Sequence, residues 1–203
     1  MIVSHSKINP APSEDDITKQ RNHMERKIMA REQYNSDILA YKLLPHTSVC
    51  CFDLENVLSV PHCTGSSLFY SRKLSSYNLT VYNLISKHAN NYIWNETEGK
   101  RGSSEIGTCL YQFINAQHLN ITHFIFFSDS CGGQNRNIYV SSLFHHIVRT
   151  SDHIQIIDHK FLEKGHTYNG CDSECNSRNV QIVHPREWFN TITSARKHRR
   201  HMK

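Results

Sequence analysis

Two aspartates in this chain stand where a charge is expensive. Asp53 interrupts the apolar run Val49-Cys50-Cys51-Phe52-Asp53-Leu54-Glu55, and Asp129 follows His123-Phe124-Ile125-Phe126-Phe127-Ser128 at the mouth of Ser130-Cys131-Gly132-Gly133-Gln134-Asn135-Arg136-Asn137. A carboxylate among apolar neighbours is costly unless it meets a cation or a hydrogen-bond donor. Phe124 to Phe127 reads as a strand buried on both faces. Gly132 and Gly133 are expected to end it by adopting backbone angles that other residues avoid, leaving Asp129 at a strand's carboxyl end. Two strand-borne carboxylates point to a site for hard cations, Mg²⁺ or Mn²⁺, whereas zinc prefers thiolate and imidazole. Each residue also has a structural reading. Asp53 alone could cap a turn, Gln134 and Asn135 could bond the loop, Asn137 reads as a helix cap, and Cys131 reads as a structural thiol.

The elements that must position these residues follow from pattern. Residues 1–12 are a polar lead-in, and Ser13-Glu14-Asp15-Asp16 reads as the capped start of a long helix spanning about 13–45. Its apolar stripe is Ile17, Met24, Ile28, Ile38 and Tyr41, and a solvated helix docked on the core is the favoured reading. Strands are expected at Val49–Glu55, Ser66–Ser71, Tyr77–Ile85 and from Asn91 to Trp94. A helix over Ile106–Leu119, the Asp129 strand, a helix over about Asn137–Thr150, a strand at Ile154–Asp158 and a last helix holding Trp188, Phe189, Ile192 and Ala195 complete a domain over 46–195. Early strands followed by alternating helices and strands imply an α/β, RNase H-like mixed sheet of about five strands flanked by helices. In such a sheet Asp53 and Asp129 must meet in the crevice beyond the strand ends.

Composition narrows the class. With 203 residues, 38% hydrophobic and 20% charged, the chain can bury one sizeable core. No apolar stretch approaches the roughly 20 residues of a membrane helix. The first residues lack a basic region followed by an apolar core, so secretion is not expected, and the sequons at Asn78, Asn95 and Asn120 read as chance. Seven cysteines without a signal peptide argue for free thiols. Cys171-Asp172-Ser173-Glu174-Cys175 with His62-Cys63 would be a weak zinc spacing. The net charge of +5 is matched by Arg196, Lys197, Arg199, Arg200 and Lys203 in the tail, residues 196–203. Such a tail suits phosphate contacts or nuclear import, and equally a solvated end.

The stretches Phe127-Ser128-Asp129-Ser130-Cys131-Gly132-Gly133-Gln134-Asn135-Arg136-Asn137 and Phe161-Leu162-Glu163-Lys164-Gly165-His166-Thr167-Tyr168-Asn169-Gly170-Cys171-Asp172 resemble the RNase H-like DDE-type transposases of animal DNA transposons, including host-adopted copies. The resemblance covers most of the chain. It implies a nuclear enzyme that cuts and joins DNA at transposon ends and targets with two Mg²⁺ or Mn²⁺ ions, working as a homo-oligomer. By the resemblance Asp53, Asp129 and Asp172 are the metal-holding catalytic carboxylates. His166, Gln134 and Asn135 are auxiliary, and Arg196, Lys197, Arg199 and Arg200 contact DNA. Glu163 and Glu174 compete with Asp172 for the third place; Asp172, after the Gly165-His166 turn, is expected within about 8 Å of Asp129. No zinc-type DNA-reading array precedes the first strand, so the chain resembles a catalytic core without its targeting head. A catalytically inactive DNA- or protein-binding module derived from such an enzyme, and a zinc-stabilised interaction domain, are the competing readings.

Overall fold

A computed structural model of the chain describes residues 13–61, 72–162, 186–187 and 190. The long helix α1 runs Glu14–Tyr41 and is followed by strands β1 (Thr47–Leu54), β2 (Leu58–Val60), β3 (Leu74–Asn83) and β4 (Ala89–Asn95). Helix α2 (Ser103–Asn115), strand β5 (His123–Ser128), helix α3 (Ile138–Thr150) and strand β6 (Ile156–Phe161) complete the order. β3 pairs antiparallel with both β1 and β4, and β5 lies parallel between β1 and β6. The order β4-β3-β1-β5-β6 is the RNase H-like mixed sheet expected from the sequence.

The sixth strand is a finding. β2 pairs with Leu74–Ser76 at one end of β3, while β1 pairs further along at Leu79–Asn83. β4 pairs with Ser76 as well, so it occupies the other edge of β3, and β2 extends the edge that β1 begins. Three residues of mixed pattern carry too little periodicity to be read as a strand. The expected strand at Ser66–Ser71 and nearly all of the closing helix lie outside the described residues.

Alternation sorts the sheet into two faces. Cys50, Phe52, Leu54, Leu79, Val81, Phe124 and Phe126 pack under α2 and α3, against Ile106, Leu110, Phe113, Val140, Phe144 and Ile147. Val49, Cys51, Ile125 and Phe127 face the other way, under Tyr34, Ile38 and Tyr41 of α1. α2 stops at Asn115 rather than Leu119 because its inward stripe ends at Ile114, and Leu119 is exposed. β6 begins at Ile156, where parallel pairing with His123 starts, and Ile154 instead reaches the core from the preceding loop.

α1 starts as expected: the Ser13 hydroxyl accepts from the Asp16 N–H while the Asp16 carboxylate accepts from the Ser13 N–H. Its apolar stripe is only partly used. Ile38 and Tyr41 rest on the sheet, but Ile17, Met24 and Ile28 are exposed. Length explains this, since 28 residues of helix span about 42 Å. The eight residues of β1 span only about 26 Å. The docked end is held by the Tyr34 ring edge-on to Phe127, 4.8 Å between centroids, and by Lys160. The Lys160 ammonium donates to Asp37 Oδ2 at 2.7 Å and to the Tyr41 hydroxyl at 2.6 Å.

Partial burial alone would raise the Asp37 pKa, but the hydrogen bonds from Lys160 and Gln33 outweigh it and hold the carboxyl below its usual range. Burial would lower Lys160, yet Asp37 and Tyr41 raise it. A lowered acid stabilises the fold above its unfolded pKa, and a raised base does so below its own. The anchor therefore contributes between about pH 4 and pH 10.5. Lys160→Met should cost about 1 kcal/mol at pH 7, the pair being partly solvated. The difference in urea midpoint between the two proteins should shrink as pH falls below about 4. A difference independent of pH would mean that the lost contacts are apolar.

Candidate functional site

β1 and β5 run parallel, with Cys51 opposite Phe127. Asp53 and Asp129 each follow that last pair by two residues, Asp53 still within β1 and Asp129 just past the end of β5. Both follow the odd-numbered series Val49, Cys51 and Ile125, Phe127 that forms the α1 face. On the other side of β1, Asp53 is opposite Thr80 of β3, and Thr80 is opposite Asn91 of β4. Asn91, Thr80 and Asp53 thus make a polar row across three strands, one step beyond the apolar patch covered by α1.

Thr80 and Asn78 are fully buried. The Thr80 hydroxyl donates to Asn91 Oδ1 at 2.8 Å and accepts from the Asn78 amide at 3.3 Å. Glu55, two residues after Asp53, is half-buried and keeps the ladder going through its N–H to the Asn78 carbonyl at 2.9 Å. These neighbours of Asp53 escaped the motif-based reading. The signal was there in β3, where Asn78 and Thr80 alternate with the core residues Leu79 and Val81: polar residues at alternate positions of a buried strand mark a second polar face.

Asp129 is positioned by the loop that follows. Its Oδ1 accepts from the Cys131 N–H at 3.3 Å and closely from the Asn135 side-chain amide. Asn135 is buried, and its Oδ1 meets no donor among the described residues. The Cys131 carbonyl collects the N–H groups of Gln134, Asn135 and Arg136. Asn137 caps α3, its side chain accepting from the Tyr139 and Val140 N–H groups at 3.1 Å and donating to the Gln134 carbonyl. Asn137 is therefore the cap expected. Asn135 is tied to Asp129, and Gln134 takes part through its backbone.

One expectation is corrected. Neither Gly132 nor Gly133 adopts a left-handed angle, and a Cβ at Gly133 would meet nothing within 4 Å among the described residues. The strand ends because the Asp129 carboxylate and the Cys131 carbonyl gather the loop's N–H groups, and the glycines are not required for it.

Beneath the sheet, His159 of β6 lies among the rings of Phe52, Phe144 and Phe161. Ser128 Oγ donates to the Asp129 carbonyl at 2.9 Å, so the His159 Nε2–H must be the donor in the 2.9 Å contact with Ser128. Burial pushes the His159 pKa down to about 4. The unfolded chain then binds the extra proton first, and stability should fall by up to about 3 kcal/mol as pH drops from about 6.5 to about 4. His159→Gln keeps a donor to Ser128 without a titrating ring, so its unfolding midpoint should be flatter across that window. An unchanged slope would assign the acid sensitivity to other groups.

Burial raises the Cys50 thiol to about 12 and the Cys109 thiol to about 11, so both stay protonated at neutral pH and behave as core residues. Among the described residues no three His, Cys, Asp or Glu side chains gather as a metal cluster. Asp172, Glu163, Glu174 and His166 lie outside the described residues. So do the weak zinc residues His62, Cys63, Cys171 and Cys175, and Arg196, Lys197, Arg199 and Arg200 of the tail. Compared with family models, curated proteins and solved structures, the chain matches none.

Proposed function

We propose that this chain is the catalytic core of a divalent-metal-dependent enzyme that cleaves and transfers DNA strands, of the DDE-type transposase kind. What supports this reading is the parallel pairing of β1 and β5 up to Cys51 opposite Phe127, since Asp53 and Asp129 each follow that pair by two residues. Oxygen is the donor that suits Mg²⁺ or Mn²⁺. Asp53 and Asp129 would hold the ions, with Asp172 as the proposed third carboxylate. Bound divalent ions would activate the attacking oxygen and offset charge on the leaving oxygen. Asn135 and the Cys131 N–H fix Asp129 Oδ1, which keeps this carboxylate in one orientation. The glycines at 132 and 133 leave room for a DNA backbone to approach Asp129.

Purified protein with Mn²⁺ and supercoiled plasmid should give nicked circles, and chelation should stop it. Nicking that survives chelation would overturn the metal-dependent reading, as would the absence of both nicking and Mn²⁺ binding by calorimetry. The tail is proposed to hold DNA in the nucleus by phosphate contacts. Replacing Arg196, Lys197, Arg199 and Arg200 with Gln should weaken binding to all sequences alike and flatten the salt dependence by up to about four phosphate contacts. An unchanged slope would remove the tail from the DNA interface.

A further inference from the structure

β4 is an edge of the sheet, pairing with β3 alone among the described residues. Chains usually blunt such an edge with proline or lysine, because its unpaired backbone groups are a template for another strand. β4 reads Ala89-Asn90-Asn91-Tyr92-Ile93-Trp94-Asn95 and contains neither. Its hydrogen-bond phase is set by the Asn83 N–H to the His88 carbonyl and the Glu96 N–H to the Ser75 carbonyl. In an antiparallel ladder the even-numbered residues between them also bond to β3, so the N–H and C=O groups of Asn91 and Ile93 point outward. The side chains of Tyr92 and Trp94 lie on the α2 side, packed against the core.

Along this edge, Tyr92, Trp94, Glu98, Glu105, Thr108 and Cys109 line a cavity of about 540 Å³ between β4 and α2, which Asn91 and Ile93 also border. Both of its carboxylates are held in place: Glu98 accepts from the Asn95 N–H at 3.0 Å, and Glu105 from the Lys100 N–H at 2.9 Å. Among the described residues no lysine or arginine lines it, although the chain as a whole carries +5. An acidic groove with an aromatic floor beside a strand edge unpaired among the described residues is a receptor for an extended chain. The ladder supplies affinity, and alternate side chains supply selectivity.

We infer that the β4–α2 groove docks an extended, basic segment of another protein, which adds to the sheet through the backbone of Asn91 and Ile93. A lysine or arginine of the segment lays its stem over Tyr92 and Trp94 and brings its charge to Glu98 and Glu105. A second copy of this chain suits the groove less well, because two-fold pairing of β4 edges would crowd the carboxylates of both copies together. The groove is two strands away from Asp53, so the inference stands apart from the proposed activity.

Fluorescence anisotropy of the full chain with a short labelled peptide of alternating lysine and valine tests it, with glutamate and valine as the control peptide. The basic peptide should bind saturably and the acidic one should not. Ile93→Pro removes one outward N–H at a position where an edge strand tolerates proline, and should weaken binding about fivefold. Glu98→Gln with Glu105→Gln keeps both local hydrogen bonds and should weaken binding by a similar factor, about fivefold, with loss of salt dependence. N-methylating alternate peptide residues blocks the ladder without touching the protein, and should abolish binding on one of the two alternations only. Equal binding of the two peptides, or indifference to both Ile93→Pro and N-methylation, would overturn the inference. So would a dimer in sedimentation that Ile93→Pro dissociates, which would give the groove to a second copy.

Discussion

Asp129→Asn should lower Mn²⁺-dependent nicking of supercoiled DNA by at least about 10²- to 10³-fold, the loss expected when several kcal/mol of metal-based charge stabilisation disappears. The variant should remain folded. An Asn oxygen can still accept from the Cys131 N–H and the Asn135 amide, the partners that hold Asp129. Asp53→Asn should behave alike, and the double variant should be little worse than either single one, because residues that act as a unit are not additive. Thermal unfolding provides an independent readout. Mn²⁺ at about a hundred times its dissociation constant should stabilise the native protein by about 2.7 kcal/mol, and neither single variant should respond. Wild-type nicking by both variants would remove the pair from the reaction. A Mn²⁺ stabilisation that persists in both would place the metal elsewhere.

Phe126→Ala should cost about 3–5 kcal/mol, the largest loss expected from a single core truncation here. Phe126 is fully buried, in contact with four aromatic rings: stacked on Phe124 and Phe144 at 5.8 and 5.4 Å, and edge-on to Phe52 and Phe113 at 5.9 and 6.2 Å. These rings come from β1, β5, α2 and α3, so no single element can move to fill the space. Such a loss is a large part of the roughly 5–15 kcal/mol that holds a domain folded. Phe161→Ala is the control, since Phe161 at the end of β6 is 39% exposed. Denaturant midpoints of the two variants measure the contrast. Equal losses would mean that the β5 core does not carry the sheet.

Local chemistry made much of this legible before any fold was known. The apolar run Phe124 to Phe127 needs burial on both sides, and a strand between two covered faces is the simplest way to provide it. Ser13 with Asp16, and Asn137 with the N–H groups of Tyr139 and Val140, are hydrogen bonds between near neighbours in sequence, so both caps could be read directly. Asp53 and Asp129 stood out for the same reason, as charges within or beside apolar runs.

What stayed hidden depends on partners far away in the chain. That Asp53 and Asp129 each lie two residues past the pair of Cys51 and Phe127 follows from the parallel register of β1 and β5, which is set by cores on both faces and not by either segment alone. The Thr80 and Asn91 neighbours, the His159 to Ser128 to Asp129 chain and the Lys160 anchor likewise join residues that only sheet pairing or helix docking brings together. The idle stripe of Ile17, Met24 and Ile28 makes the converse point. A helical period shows which residues share a face, but the length of the sheet beneath determines how many of them are covered.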